Sequence, residues 1–384
     1  MPRPPKSAPR KRQPWPAKKS SSSAQKPSSP SAPRPNPKAF IEFLGSLKEY
    51  EPIEWVRSGI PAVDLVIGAG LPRGRFIEIV GEPSTSKSAF GYAVIAAFQR
   101  AGGKCVLIDS EAKAERSFVE RFGVNFEDLS YSKGASIKEV VQLLGRVAQM
   151  ADPALPVLVV WDSIAATRGA EELELHVSDK EFTGEKAARA RYLSAAFRAL
   201  CGDLARKKVT FIAVNQLRTK FNFMGSVSME APGGKAPKYH AAVRIQMKDI
   251  GKIKHQDVDV VIGMKVLFKA IKNSCSAPFR YTTLTFKFDT GYDMYSGLDE
   301  LLIRHRRIEQ KAGWLSYAGK TFRPGDLERI VAEVPEIVNP INGVLETGDA
   351  QTASDSASGD PTANAGDAEE APKEEATAPA GEDE

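Results

Sequence analysis

The chain alternates two hydrophobic rhythms. Short, continuous apolar runs rich in strand-forming residues occur at Phe76–Val80, Cys105–Ile108, Val157–Trp161 and Thr210–Val214. Between them, around Lys87–Arg100, Ser136–Met150 and Lys186–Lys207, the pattern is helical. Buried continuous strands with helical crossovers imply a mostly parallel sheet with helices on both faces. Further strands are expected near Ala242–Lys248, Lys265–Ile271 and Thr282–Phe288. With fewer helices between them, these read as antiparallel additions to one edge of the sheet. Upstream, Phe40, Phe43, Leu44 and Leu47 form a helical stripe from about Lys38 to Glu49. That helix is too short to stand alone, so it is expected to pack on something, such as a neighbouring subunit. From Leu298 to about Ile341 a compact, helix-patterned segment with breaks at Gly313, Gly319 and Gly325 is expected to form a small C-terminal subdomain. The expected organisation is a basic arm (1–37), a helix and linker for subunit packing (38–54), an α/β core (55–296), a small α+β subdomain (297–342) and an acidic tail (343–384). The chain has no internal repeat.

Composition narrows the class. A hydrophobic fraction of 42% and a charged fraction of 26% over 384 residues fit a globular protein and exclude a collagen or a wholly disordered chain. No apolar run approaches the ~18 residues of a membrane-spanning helix, so no membrane partner is expected. Three scattered cysteines, Cys105, Cys201 and Cys275, offer neither a disulfide framework nor zinc-ligand spacing. The chain reads as intracellular and reduced, hence cytoplasmic.

Charge is unevenly placed. The formal net charge is +5, yet residues 1–39 carry ten Lys or Arg and no acid, while residues 346–384 carry twelve acids and one Lys. Both ends are poor in apolar residues and are expected to be disordered. The basic arm fits nonspecific contact with nucleic acid, a solubilising leader, or a targeting peptide, the last disfavoured by its prolines. The acidic tail fits either a mimic of DNA that competes for a basic surface, or a solubility tail.

Candidate chemistry sits at the strand tips. After Phe76–Val80 come Gly81, Glu82, Pro83, Ser84, Thr85, Ser86, Lys87 and Ser88, and then a helix. This is the place of a phosphate loop, where backbone N–H groups and a helix N-terminus wrap a β-phosphate. Lys87 would reach the β and γ oxygens, and the Ser88 hydroxyl would hold Mg²⁺. The usual pattern has a second glycine where Ser86 stands, and a non-glycine residue at positive φ costs ~1–2 kcal/mol. By itself the segment is equally a plain strand–turn–helix junction. Two other tips favour ATP. Val157–Trp161 ends in Asp162, placed to meet hydrated Mg²⁺. Cys105–Ile108 leads through Asp109 and Ser110 to Glu111, placed as a general base.

Through these motifs the sequence resembles the RecA family of homologous-recombination ATPases from about Trp55 to Gly325. The run Gly59-Ile60-Pro61-Ala62-Val63-Asp64 and the segment Gly68 to Arg75 are similar to the family's approach to its phosphate loop. Ile108-Asp109-Ser110-Glu111, Trp161-Asp162-Ser163-Ile164-Ala165-Ala166 and Ala213-Val214-Asn215-Gln216-Leu217-Arg218 resemble its later motifs. The resemblance implies a RecA-like P-loop ATPase core. It puts the catalytic glutamate at Glu111, adenine contacts at Glu115 and Phe118, and a γ-phosphate sensor at Gln216. In Lys272-Asn273-Ser274, Lys272 matches one of two lysines that reach a neighbour's ATP; serine stands at the second, for which Lys269 and Arg280 are candidate substitutes. Serine at position 86 is more like the phage UvsX branch than bacterial RecA.

The segment from Gln216 to Gly234 is long for a connection, which favours a functional loop. Arg218 and Lys220 can neutralise phosphates, and Phe221, Phe223 and Met224 can stack on bases. The alternative is a loop folded over so that its aromatics pack in the core. By resemblance this is the family's second DNA-binding loop, closed by Gly233 and Gly234. The first loop, about 168–184, is acidic, with Glu171, Glu172, Glu174 and Asp179. Arg191 and Arg198 lie seven apart, hence on one helix face, and match family arginines near the DNA axis; the alternative is an ordinary solvated face. Arg304-His305-Arg306-Arg307 is a candidate guide for duplex, or an exposed helix face.

The expected function is an ATP- and Mg²⁺-dependent recombinase that forms a helical filament on single-stranded DNA with ATP at subunit interfaces. It would pair that strand with homologous duplex and exchange strands in recombination and repair, with single-strand-binding and loader proteins as further partners. The alternatives are an ATP-binding mediator with weak hydrolysis, a DnaB-like ring helicase, and an ATPase without a DNA role.

Overall fold

The computed structural model describes residues 51–134, 136–168, 182–221, 227–230 and 234–341, together with Lys38, Ile41 and Glu42. Residues 1–52 make a unit of their own, in which Lys38, Ile41 and Glu42 are helical and exposed. The rest of the expected stripe, with Phe40, Phe43, Leu44 and Leu47, lies outside the described residues, as do the whole of the basic arm and of the acidic tail.

From Ile53 onward the elements run β1 (Trp55–Val56), α1 (Pro61–Ile67), β2 (Leu71–Pro72), β3 (Phe76–Gly81), α2 (Lys87–Arg100), β4 (Lys104–Asp109), α3 (Arg116–Glu120), β5 (Leu129–Ser132), α4 (Ile137–Met150) and β6 (Val157–Asp162). There follow α5 (Phe182–Arg206), β7 (Val209–Gln216), β8 (Arg218–Phe221), β9 (Val227–Glu230), α6 (Ala236–His240), β10 (Val243–Lys254), β11 (Val261–Asn273), β12 (Tyr281–Lys287) and β13 (Gly291–Tyr292). The last are α7 (Leu298–Arg304), β14 (Glu309–Lys311), β15 (Trp314–Tyr317), β16 (Lys320–Phe322) and α8 (Leu327–Glu333).

Nine strands form one sheet in the order β13-β12-β11-β10-β3-β7-β6-β4-β5. From β10 to β5 every pairing is parallel, whereas β10 to β13 pair antiparallel along one edge. The two-residue period of the buried strands divides the core in two. Leu158 and Val160 of β6, with Ile77 and Ile79 of β3, face a cluster built on Phe90, Val94, Ile95 and Phe98 of α2. Val157, Val159 and Trp161, with Phe76 and Phe211, face the opposite side. There Ile137, Val140, Leu144 and Ala148 of α4 and Leu193, Phe197, Leu200 and Leu204 of α5 supply apolar stripes at helical spacing. Phe76, Phe197 and Phe211 stack at the centre of that face, with centroids 4.8 and 5.0 Å from Phe76. The α4 stripe starts behind a Ser136 cap whose hydroxyl accepts from Glu139 N at 3.3 Å.

The C-terminal segment differs from the helical pattern read in its sequence. It is α7, a three-stranded antiparallel sheet β14-β15-β16, then α8. Gly313 (φ 77°) and Gly319 (φ 78°) are the turns of its two hairpins, not breaks between helices. Leu301, Leu302, Leu315, Phe322, Leu327 and Ile330 join the same apolar cluster as α2. Among the described residues, no helix is long and apolar enough to cross a membrane.

Parallel strands have a functional consequence: the tips of β3, β4, β6 and β7 all open on one sheet edge.

Candidate nucleotide site and its approach to nucleic acid

The segment 81–88 leaves β3 at Gly81 and enters α2 at Lys87. Gly81 is required by a close approach, because a Cβ there would lie 2.4 Å from the Met247 carbonyl of β10 and 2.9 Å from Thr85 Oγ1. Ser84 (φ 60°) and Ser86 (φ 56°) both adopt the left-handed conformation, costly for a non-glycine residue, and Ser86 does so where the usual pattern has glycine. Thr85, buried, donates through Oγ1 to the Glu82 carbonyl at 2.9 Å. Glu82, Pro83 and Ser84 form the exposed crest of the loop.

Lys87 is buried beneath that crest. Its ammonium donates to the Glu82 carbonyl and, at 3.1 Å, to Thr85 Oγ1. Burial pulls its pKa down to about 8, against the opposing pull of Asp162, Glu111 and Glu82. At the tip of β6, burial pushes the Asp162 carboxyl up to about 6, and Glu111 and Asp109 push the same way. The Ser88 hydroxyl, hydrogen-bonded to that carboxyl, and Lys87 act in the opposite sense. The Ser88–Asp162 pair brings two hard oxygen donors beside the buried Lys87, a donor set that suits Mg²⁺. Among the described residues no cluster of three or more His, Cys, Asp or Glu could hold a metal by itself.

Glu111 reaches the same place from β4. Asp109, buried at the strand tip, gathers the turn: its Oδ1 accepts from Glu111 N at 3.2 Å. Its Oδ2 accepts from Ala114 N at 2.8 Å and from the Tyr131 hydroxyl at 2.9 Å. The Glu111 carboxylate, half-buried, accepts on Oε1 from Ser163 Oγ (3.2 Å) and from Gln216 Nε2 (3.1 Å). Lys113 pairs with its other oxygen at 2.5 Å. Gln216 ends β7 in register with Gly81, and the next residue's amide, Leu217 N, donates to the Gly81 carbonyl at 2.9 Å. Lys87, Ser88, Glu111, Asp162 and Gln216 therefore stand together along one edge.

Behind this edge lies a buried charge network. Glu78 of β3, fully buried, accepts from Arg244 Nε of β10 at 2.5 Å and from Asn215 Nδ2 of β7 at 3.1 Å. Asn215 Oδ1 in turn accepts from Gln216 N at 3.1 Å. Neither Glu78 nor Arg244 was singled out in the sequence, where they alternate with apolar strand neighbours.

The expected adenine residues sit on α3 and at its N-cap. Phe118 is half-exposed and makes edge contacts with Phe122 (5.3 Å) and with Tyr92 of α2 (6.3 Å). Glu115 caps α3, its Oε2 accepting from Ser117 N, Ser117 Oγ and Phe118 N. Lys272 donates to the carbonyls of Tyr239 (2.9 Å) and Lys238 (3.2 Å) at the end of α6. Arg280, a candidate for the second cross-subunit cation, is buried and donates to the carbonyls of Leu65 and Ile341. Those bonds make it a structural clamp. Arg304 and Arg307 are engaged likewise: Arg304 stacks 3.9 Å from the Tyr281 ring, and Arg307 donates to the carbonyls of Ile337, Asn339 and Pro340.

Arg191 and Arg198 are exposed on α5, opposite its buried stripe of Leu193, Phe197 and Leu200. Arg218, Lys220 and Phe221 lie on β8, which pairs antiparallel with β9. Phe223, Met224 and Gly233 lie outside the described residues, as does the acidic stretch with Glu171, Glu172, Glu174 and Asp179. Gly234 (φ 70°) closes the segment against α5, where a Cβ would lie 2.8 Å from Ala190 Cβ.

A family model described as the RecA N-terminal domain matches residues 36–293, which include the whole edge just described.

Proposed function

The chain belongs to the RecA family, and from that premise we propose that it is a DNA-dependent ATPase that assembles on single-stranded DNA and exchanges strands with homologous duplex, in recombination and repair. One observation carries the reading: Gln216, at the root of the 217–233 segment, is hydrogen-bonded to the Glu111 carboxylate. The same side chain thus touches the expected general base and leads into the expected DNA loop.

In this reading the loop amides 81–88 and Lys87 bind the β- and γ-phosphates of ATP. Ser88 and Asp162 would hold Mg²⁺, which would neutralise charge on the phosphate oxygens. Glu111 accepts the proton of the attacking water, held in orientation by Ser163 and by the Asp109 turn. Gln216 turns from Glu111 to the γ-phosphate and sets the loop bearing Arg218, Lys220, Phe221 and Phe223. Hydrolysis then releases the loop, a switch between two states of one segment. Arg191 and Arg198 line the strand's path, and stacking on loop aromatics needs no base-specific contact. Phe118 and Glu115 meet adenine, and Lys272 reaches a neighbour's ATP once freed from the α6 carbonyls. Serine at 86 supports a likeness to the phage UvsX-type recombinases over bacterial RecA.

The test is ATP turnover with and without single-stranded DNA, paired with electron microscopy on that DNA and a slowly hydrolysed ATP analogue. Strong stimulation and helical filaments support the proposal. Closed rings support a helicase, and equal rates with dispersed particles remove the DNA role.

A further inference from the structure

The phosphate loop carries a residue in the wrong conformation for its type. Ser86, the residue before Lys87, sits at φ 56° and ψ 24° with no side-chain cap on the α2 N-terminus. What holds it there comes from 206 residues away. The Tyr292 hydroxyl, on the edge strand β13, donates to the Ser86 carbonyl at 3.0 Å and lies 2.8 Å from Ser86 Oγ. Ser86 Oγ also lies 2.7 Å from the Thr85 carbonyl. The tyrosine ring is buried against Phe286 (4.9 Å) and Phe90 of α2 (6.2 Å), so it cannot swing away. Burial raises the phenol's pKa, which keeps its proton available for donation.

We propose that Tyr292 is a positioning residue for the phosphate loop: its buried hydroxyl holds Ser86 in the left-handed conformation that a glycine would adopt freely, and so presets the loop amides and Lys87 for phosphate. Glycine would need no such help, having no Cβ to strain. The serine supplies the partner for the brace, since its Oγ and its carbonyl converge on one hydroxyl. The inference rests on the ATP reading for its ligand, and on the geometry alone for the brace.

The test is a double-mutant cycle on the full chain with MgATP and a fluorescent ATP analogue. Tyr292→Phe keeps the ring and removes the hydroxyl. In the wild-type background it is expected to weaken nucleotide binding on the order of tenfold, raising KM more than it lowers kcat. In the Ser86→Gly background the same change is expected to alter affinity by less than about twofold, because the strain has gone. An equal loss in both backgrounds, or no loss in either, overturns the proposal. Urea-unfolding midpoints of the four proteins without nucleotide separate the two layers. If the wild type binds no nucleotide, the ATP reading falls. The brace then stands only if Tyr292→Phe lowers the midpoint with Ser86 and not in the Ser86→Gly background.

Discussion

Breaking the pair behind the site offers the sharpest test of how the fold supports it. Arg244→Met removes the guanidinium from Glu78 and leaves a carboxylate that is 1% exposed with Asn215 as its remaining hydrogen-bond partner in the trio. Stranding one member of a buried ion pair costs about 3–5 kcal/mol. For a core of this size each kcal/mol lowers Tm by about 2–4 °C, so a fall on the order of 10 °C is expected. The double variant Glu78→Gln with Arg244→Met removes both charges and keeps an amide beside Asn215. It is expected to recover to within about 1–2 kcal/mol of wild type, since well-packed neutral replacements of buried pairs are often tolerated. Urea-unfolding midpoints for wild type, both singles and the double measure the coupling. A single variant costing under about 1 kcal/mol, or a double costing the sum of the singles, would refute the account of a dry, mutually dependent pair.

Other expectations follow from the same edge. Glu111→Gln should leave nucleotide and DNA binding intact and cut turnover by about 10²–10⁴-fold, the usual worth of a general base; steady-state ATPase against filter binding decides it. Nucleotide affinity should be best between the two shifted groups. Asp162, with its pKa near 6, protonates below that pH and would then no longer serve as a Mg²⁺ ligand; Lys87, with its pKa near 8, loses its charge above it. MgATP affinity at pH 5 or pH 9 should therefore fall on the order of tenfold from pH 7, read by titration with a fluorescent analogue. A flat profile would show that neither group meets the nucleotide in those states. Gly81→Ala should deplete both folded protein and nucleotide binding, because its Cβ meets the Met247 carbonyl at 2.4 Å; expression yield and Tm report the first, equilibrium binding the second.

The parts legible in the sequence were those governed by local pattern. β3, β6 and β7 are buried on both faces, so their apolar runs stood out, and the residues at their tips followed from the position of the runs. The helical pattern around Ser136–Met150 likewise matches α4, whose Ser136 cap is seen in the structure. What local pattern cannot carry was missed. The turns at Gly313 and Gly319 join strands of three to four residues, too short for a clear period of two. Arg280 looks like any surface cation until its partners, the Leu65 and Ile341 carbonyls, fold around it from distant segments. Tyr292 follows a Gly291 turn with nothing nearby in sequence to mark it, and only the pairing of β12 with β13 delivers its hydroxyl to Ser86. The positive φ at position 86 was foreseeable from the motif, but the residue that sustains it was not.

The segment after Gln216 is moored at both ends: Leu217 is tied to the Gly81 carbonyl, and Gly234 rests on Ala190 with no room for a Cβ. Between these anchors β8 pairs antiparallel with β9, so the separation of the two anchors limits where that ribbon can stand. A bulkier residue at 234 would press on Ala190, shift that anchor and change the angle at which the segment leaves the body.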